Sequence, residues 1–514
     1  MLFLSQRISS INGLAYVPLV SRGNAVSRTL RPFISTLQRQ ETKATLEDEI
    51  HDNNQQQQPL PRVLLKRNRT SKNFRDGSQL VFSGSIDKVP KSLQLGDLVQ
   101  VEVPSDTISN DKHAHKTGTP PAATTTATTV VGWGVYNPES MYRIRILCHS
   151  LLHPDMKSIL SSSVADASTD NAKKESVLHR LLLLRFQKAL QTRRTLGLPS
   201  VDTDTFRLVN GEGDSLSGLA VDVIADKVAV VMSSAAWCEI HKNAILWSLH
   251  ELIPEHQLIW KTTPSRLKQD GYSAITSEED TIVTKQQEDY TEALVAMENG
   301  VKYQTFPHLQ GQKTGVYCDQ RENRRSLADL CSNKSVLDLC CYHGGFSLNA
   351  AKQGASRVVG VDSSGDAIET CNTNIALNDF CKDVDISFVK SDISDYMKQC
   401  QETFQVVVLD PPKLAPSVSA LPRATRKYHS LNRDAIKLID DQGGLLLTCT
   451  CSAAMTQKDG GLHFLEMVQQ ASLAARREVS LLKVSGAAPC HTQSPISFPA
   501  GNYLTAALFM VHPK

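Results

Sequence analysis

No apolar run in this 514-residue chain approaches the roughly 18 residues that a spanning helix needs, so no membrane segment is expected. Twelve cysteines are present, yet none form a CxxC pair. Neither a zinc site nor a disulfide framework is indicated, and the chain reads as a protein of a reducing compartment. A formal charge of +2 neither demands nor excludes nucleic acid, because a local basic patch decides that and the total does not. Acidic residues are absent before Glu41, while Arg7, Arg22, Arg28, Arg31 and Arg39 fall among several serines. A cationic, acid-free leader is the composition of an organellar transit peptide, so residues 1–40 are expected to direct import into a mitochondrion or plastid. The alternative is a basic disordered tail.

Composition shifts divide the remainder. Residues 41–60 are polar, contain Gln55–Gln58 and read as a linker. The segments LVFSGSI, DLVQVEVP and VVGWGVYNPESMYRIRIL predict a small β domain over 61–148. A Thr-, Ala- and Pro-rich insert at 105–129 interrupts it, with no periodicity. Residues 156–176 again resemble a linker. Leu178, Leu181, Leu182, Phe186, Ala189 and Leu190 then recur at helical spacing, and Gly197 and Pro199 stop the pattern. The basic residues of that helix read as a solvated face before they read as an RNA contact. Strands joined by a Gly-rich turn in FRLVNGEGDSLSGLAVDVIADKVAVVMS complete a small α+β middle domain over 173–300. The last segment, 301–514, alternates from about Ser335 between apolar strands (SVLDL, RVVGVD, ISFVKSD, QVVVLD, GLLLTCT) and helical stretches. That order predicts an α/β fold, a mostly parallel Rossmann-like sheet whose ligands bind beyond the carboxyl ends of the strands.

The chemistry-bearing residues lie on those loops. In VLDLCCYHGGFSL, Asp338 ends the first strand, and Gly344 and Gly345 are expected to let a ligand approach the backbone. The loop is not GxGxxG and does not cradle a pyrophosphate. An open loop with an acid suits the methionine part of the cationic cofactor S-adenosylmethionine; by itself it is also an ordinary strand-to-helix turn. Asp362 ends the next strand, where α/β folds grip ribose hydroxyls. Asp392 ends the third, placed to accept from an adenine amine. Helix capping is the competing reading for such acids. Asp410-Pro411-Pro412-Lys413 follows the fourth strand, where a rigid turn would hold an acid toward the substrate; a merely strand-ending turn is the alternative. Cys449 and Cys451 follow the fifth. Methylating carbon 5 of a pyrimidine requires a thiolate that adds to carbon 6, whereas nitrogen methylation needs none. Both cysteines could instead be small buried hydrophobes; of the two, Cys449 is expected to be the buried one.

Together these motifs resemble the bacterial large-subunit rRNA cytosine-5 methyltransferase family that carries an N-terminal PUA domain. The resemblance covers about 61–514 apart from the inserts. GQKTGVYCDQRENR (311–324) is its most specific piece, and YHGGFS, GVDSS, LDPPKLAPS and CSAAMT match in order. It implies a PUA domain, a small α+β domain and a class I S-adenosylmethionine-dependent methyltransferase domain. It implies Cys451 as nucleophile, with Asp410 as its catalytic companion. Lys313, Thr314, Gly315 and Arg321 are implied to approach the cofactor from the signature. Asp338, Tyr342, Gly344, Gly345, Asp362, Ser363, Asp392 and Asp410 are implied to form its site. Structured RNA, first of all large-subunit rRNA, is the implied partner; a homodimer is allowed. In that context the cluster Arg62, Lys66, Arg67, Arg69, Lys72 and Arg75 fits phosphate binding. Three departures stand out. His343 replaces the family's usual Thr, Ser78-Gln79-Leu80 replaces a His-Pro-Trp, and Pro489-Cys490-His491-Thr492 replaces an Asp-His-Pro. Rival readings are guanine-nitrogen or uracil-5 methylation of RNA, and a non-catalytic rRNA-binding assembly factor.

Overall fold

The computed structural model describes residues 60–66, 77–105, 128–153, 170–273, 281–282, 293–307, 316–495 and 497–514, all within the compact unit Gln57–Lys514. The expected transit peptide, nearly all of the linker, residues 106–127 of the insert, most of the basic cluster, and Lys313, Thr314 and Gly315 lie outside the described residues.

The first sheet contains β1 (Arg62–Leu65), β2 (Leu80–Phe82), β3 (Ile86–Lys88), β4 (Leu98–Pro104), β5 (Thr128–Tyr136) and β6 (Tyr142–His149), in the order β2-β6-β5-β4-β1-β3. Val63, Val81, Val99, Val101, Ile144 and Ile146 alternate onto its inner face and form its core, as period-two patterning requires. Pro104 pairs with Thr128, so the insert leaves and re-enters at neighbouring points. Such a loop costs little closure entropy. Strand β5 takes up Thr128 and Thr129, which had been assigned to the insert.

A helix, Asp170–Thr195, follows. It begins inside the stretch expected as linker, because Lys173, Lys174 and Glu175 are ordinary helix formers. Its Leu178, Leu181, Leu182, Phe186 and Ala189 share one cluster with Trp133 and Leu147 of the first sheet, Leu208 and Val221 of the next, and Leu249 of the helix Lys242–Leu252. Segments 61–148 and 173–300 therefore share one hydrophobic cluster. Asp270 ties them further: it accepts from Arg145 Nη2 at 2.8 Å, Ser140 Oγ at 2.5 Å and the Ala236 backbone N–H at 2.9 Å.

The middle sheet contains β7 (Phe206–Asn210), β8 (Leu219–Ile224), β9 (Val228–Ser233), β10 (Gln257–Thr262) and β11 (Thr281–Ile282), ordered β11-β10-β9-β8-β7. A hairpin comes next, β12 (Leu294–Glu298) and β13 (Val301–Thr305). Its Asn299-Gly300 turn has φ of 53° and 71°, the positive values that two-residue hairpin turns demand. The boundary expected at residue 300 falls on this turn.

The last sheet contains β14 (Ser335–Leu339), β15 (Arg357–Asp362), β16 (Asp385–Lys390), β17 (Val406–Leu409), β18 (Gly444–Thr450), β19 (Val479–Ser485) and β20 (Thr505–Val511). Their order is β16-β15-β14-β17-β18-β20-β19. The five strands expected from the sequence are all present and parallel, while β20 runs antiparallel to both neighbours. Val336, Leu337, Val406, Val407 and Val408 are fully buried, the near-continuous apolar run of strands covered on both faces. The strand order reverses between β14 and β17, the switch point where α/β sheets open a ligand crevice.

Candidate active site

Asp338 stands at the end of β14 and is fully buried. Its Oδ2 accepts from the Ser347 backbone N–H at 3.0 Å and from Ser347 Oγ at 2.7 Å, while Oδ1 has no hydrogen-bond partner. Burial pushes its carboxyl up to about 6 against the lowering effect of Ser347. The following loop carries positive φ at Cys340 (67°), Tyr342 (50°) and Gly344 (84°). Two non-glycine residues in that region within three positions store strain of the kind found at ligand sites.

The two glycines meet different neighbours. A Cβ on Gly345 would come 2.5 Å from Arg324 Nε. Gly345 thus makes room for a guanidinium of the protein. Gly344 is required by its backbone conformation, and Phe388 would lie 3.0 Å from its Cβ. Arg324 donates from Nη1 to Glu298 Oε1 at 2.6 Å, so the β12–β13 hairpin holds the cation against the loop. Arg321, the arginine singled out from the signature, is buried, donates to Glu322 and lies near Cys490, Glu298 and Cys318. The signature cation packed against the loop is Arg324.

Asp362 joins two loops. Its Oδ2 accepts from the Tyr342 backbone N–H at 3.0 Å, and its Oδ1 from that of Ser364 at 2.9 Å. Ser363 beside it is exposed. Asp392 is exposed and caps the helix Ile393–Gln399, accepting from the backbone of Ser394 and Asp395. Capping thus accounts for Asp392 Oδ1, as the competing reading had it. Burial raises this carboxyl, but the hydrogen bonds from Ser394 and Asp395 together with Lys427 outweigh it and leave it below the usual range. His343 is 3% exposed, neither ring nitrogen has a partner, and its ring lies 5.1 Å from that of Tyr303 and 4.5 Å from that of Tyr342. Burial, helped by Arg324, lowers it to about 3, so it is neutral.

Across the switch point, β17 and β18 are paired with Leu409 opposite Thr448. Asp410 therefore emerges beside the end of β18. It is half-buried, and Oδ2 accepts from Gln320 Nε2 at 2.9 Å. Gln320 Oε1 accepts in turn from Asn323 Nδ2 at 2.6 Å. Burial, then the Asp319 carboxylate, pushes Asp410 up to about 7. Cys449 is 0% exposed, and burial and Asp410 push its thiol up; Cys451, two residues on, is half-buried. The strand end is braced beneath it: Thr450 Oγ1 donates to Tyr428 Oη at 2.8 Å, and the Ala415 N–H donates to Ser452 Oγ at 3.2 Å. The Tyr317 ring meets Tyr342 edge-on at 5.0 Å, between the cofactor loop and the Asp-Pro-Pro turn. Tyr317, Gln320, Asn323 and Arg324 were not singled out from sequence. Their signal is the signature GQKTGVYCDQRENR itself, in which all four lie.

The chain matches the S-adenosylmethionine-dependent methyltransferase family model over residues 278–472. Ribosomal RNA large subunit methyltransferase I of Pseudoalteromonas atlantica is 30% identical over 385 residues, 74% of this chain and 87% of that protein. Its namesake in Aeromonas salmonicida is 34% identical over 340 residues, 65% of this chain and 81% of that protein. A Streptococcus mutans protein assigned as an S-adenosylmethionine-dependent methyltransferase superposes with a TM-score of 0.62 at 18% identity, over 88% of this chain and 100% of its own. A likeness at that identity shows the fold. The donor set fits the cofactor: Asp338 Oδ1 is a buried, unsatisfied acceptor, and acids outnumber cations around a loop that would face a sulfonium and an ammonium.

Proposed function

This chain belongs to the family of S-adenosylmethionine-dependent methyltransferases that includes the ribosomal RNA large subunit methyltransferase I proteins, and we propose that it forms 5-methylcytosine in organellar large-subunit rRNA. S-adenosylmethionine, when bound, supplies an electrophilic methyl group. Asp362, Ser363 and the loop from Asp338 to Gly345 would hold it, with Asp392 at its adenine end. Cys451 performs the step that carbon 5 needs: its thiolate adds to carbon 6 of the cytosine, and electron density moves to carbon 5. After carbon 5 has taken the methyl group, a water molecule accepts its proton, the C–H electrons re-form the ring double bond, and the thiolate leaves carbon 6. Asp410, steadied by Gln320, holds the base edge. The target base must leave its stack to reach the cleft, which costs a few kcal/mol and favours loops.

The observation that carries this reading is the contrast between the two cysteines. Cys449 is sealed and its thiol pushed up, whereas Cys451 is accessible beside the Asp-Pro-Pro turn. RNA containing 5-fluorocytosine tests it, because fluorine cannot leave as a proton does. The wild type should be trapped covalently, Cys451→Ala should lose trapping and methylation, and Cys449→Ala should keep most of both. Methylation by Cys451→Ala at near wild-type rate would sink the mechanism. The six-stranded N-terminal sheet is proposed as a PUA-like RNA-binding domain, and residues 1 to about 40 as a transit peptide. A fluorescent reporter fused to those residues should enter an organelle; diffuse cytosolic signal would count against it.

A further inference from the structure

From Pro411 to Arg433 the chain contains no Asp or Glu, while Lys413, Arg423, Arg426, Lys427 and Arg433 fall within it. Most of this stretch is the helix Leu421–Lys437, whose Leu421, Ala424, Tyr428, Leu431 and Ala435 are buried. Arg423, Arg426 and Lys427 occupy the opposite, exposed side, and Lys413 is exposed on the turn before it. Lys427 donates to Ser394 Oγ at 3.0 Å and lies near Asp392. Arg433 is paired with Asp434. Lys413, Arg423 and Arg426 carry no ion pair among the described residues. Asp459, which reaches this side through His463 and Thr425, is paired with Lys458 at 2.7 Å. Arg423 sits in the first helical turn, where the backbone dipole favours an acid over a cation. Neither local pairing nor helix stability explains these charges.

Their placement offers an explanation. The buried side of the same helix carries Tyr428, which accepts from Thr450 next to Cys451. The helix follows the Asp-Pro-Pro turn, and Lys427 in its second turn bonds Ser394 just beyond β16, so its first two turns, with Arg423 and Arg426, stand at the carboxyl edge of the sheet where β18 delivers Cys451. We infer that Lys413, Arg423 and Arg426 form a phosphate-binding surface that holds the RNA strand flanking the target base. The inference rests on the RNA methyltransferase reading above. An acid-free set of exposed cations at the cleft's edge of the sheet fits a polyanion whose charges are spaced along a strand. Residues of this surface fix position and carry no base specificity.

The test compares wild type with the double variant Arg423→Gln, Arg426→Gln, leaving every residue of the cleft intact. Binding of an unmodified large-subunit rRNA transcript is measured across potassium chloride concentrations. The variant should bind roughly tenfold more weakly at low salt, and its log-log salt slope should fall by about 1.4, two contacts at about 0.7 each for a single strand. KM for RNA should rise while kcat at saturating RNA and S-adenosylmethionine affinity stay within about twofold, a pattern that general unfolding would not give. Unchanged rRNA affinity and salt slope would overturn the inference. Loss of binding to anionic phospholipid vesicles with rRNA binding intact would also overturn it, marking a membrane surface instead. If wild type binds the transcript but transfers no methyl group to cytosine, the proposed reaction fails, while the binding comparison still decides the surface.

Discussion

Asp410→Asn removes a charge from the cleft while keeping the shape of the group and its acceptor for Gln320 Nε2. In the folded protein burial, then Asp319, raises this carboxyl from 3.8 to about 7. Folding therefore takes up a proton between about pH 4 and pH 7, and the wild-type protein loses stability as pH rises through that window. The shift of about 3 units corresponds to on the order of 4 kcal/mol at about 1.4 kcal/mol per unit, an upper bound because the side chain is only half-buried. The asparagine variant does not titrate. Its stability relative to wild type should grow by about 2–3 kcal/mol between pH 5 and pH 7.5, then level off. Urea unfolding of both proteins at several pH values reads the difference, and comparing the two cancels groups such as His343 that do not act on Asp410. Methylation should fall steeply in the same variant, the expected conflict between stability and a poised cleft. A stability difference that is the same at pH 5 and pH 8 would refute the reasoning, because it would mean that Asp410 titrates normally.

His343→Thr should act at the other end of the scale. A histidine lowered to about 3 contributes stability that is lost as pH falls from about 6.5, so the variant's urea midpoint should drop less than that of wild type between pH 7 and pH 4.5. Gly345→Ala should displace Arg324 and destabilise by about 1–3 kcal/mol, with weaker S-adenosylmethionine binding by calorimetry; unchanged binding would mean the loop tolerates the shift. Asp270→Ala should cost about 3–5 kcal/mol in urea unfolding by stranding buried Arg145, without altering cofactor affinity in the protein that remains folded.

The parallel strands are legible because each is a short apolar run, four of the five with an acid at or close to their end, and burial on both faces of the central strands demands such runs. The acids at 338, 362, 392 and 410 could be placed at the carboxyl edge for the same reason. Their individual duties could not be read. Asp338 braces Ser347, Asp362 ties two loops and Asp392 caps a helix, and a place near a strand end, common to all three, does not tell these duties apart. The antiparallel end of the sheet was not legible either. VSLLKVS leaves Leu481, Leu482 and Val484 exposed at a sheet edge, so its pattern marks no buried face. TAALFMV is an apolar run of a length that fits strand or helix.

The two signature arginines show a deeper limit. Arg321 and Arg324 lie three apart on one short helix, and both are buried, so local pattern does not separate them. What separates them is a contact spanning distant segments: Glu298 of the hairpin grips Arg324, and Arg324 fills the space that Gly345 leaves empty. The hairpin that a domain boundary would have cut away thus sets the shape of the cofactor loop. Arg324 also lowers the carboxyl pKa of both Asp338 and Asp410, against the larger effect of burial on each. Its removal would push those two acids further up at once, so the charge state of the cleft depends on a residue that need not touch either ligand.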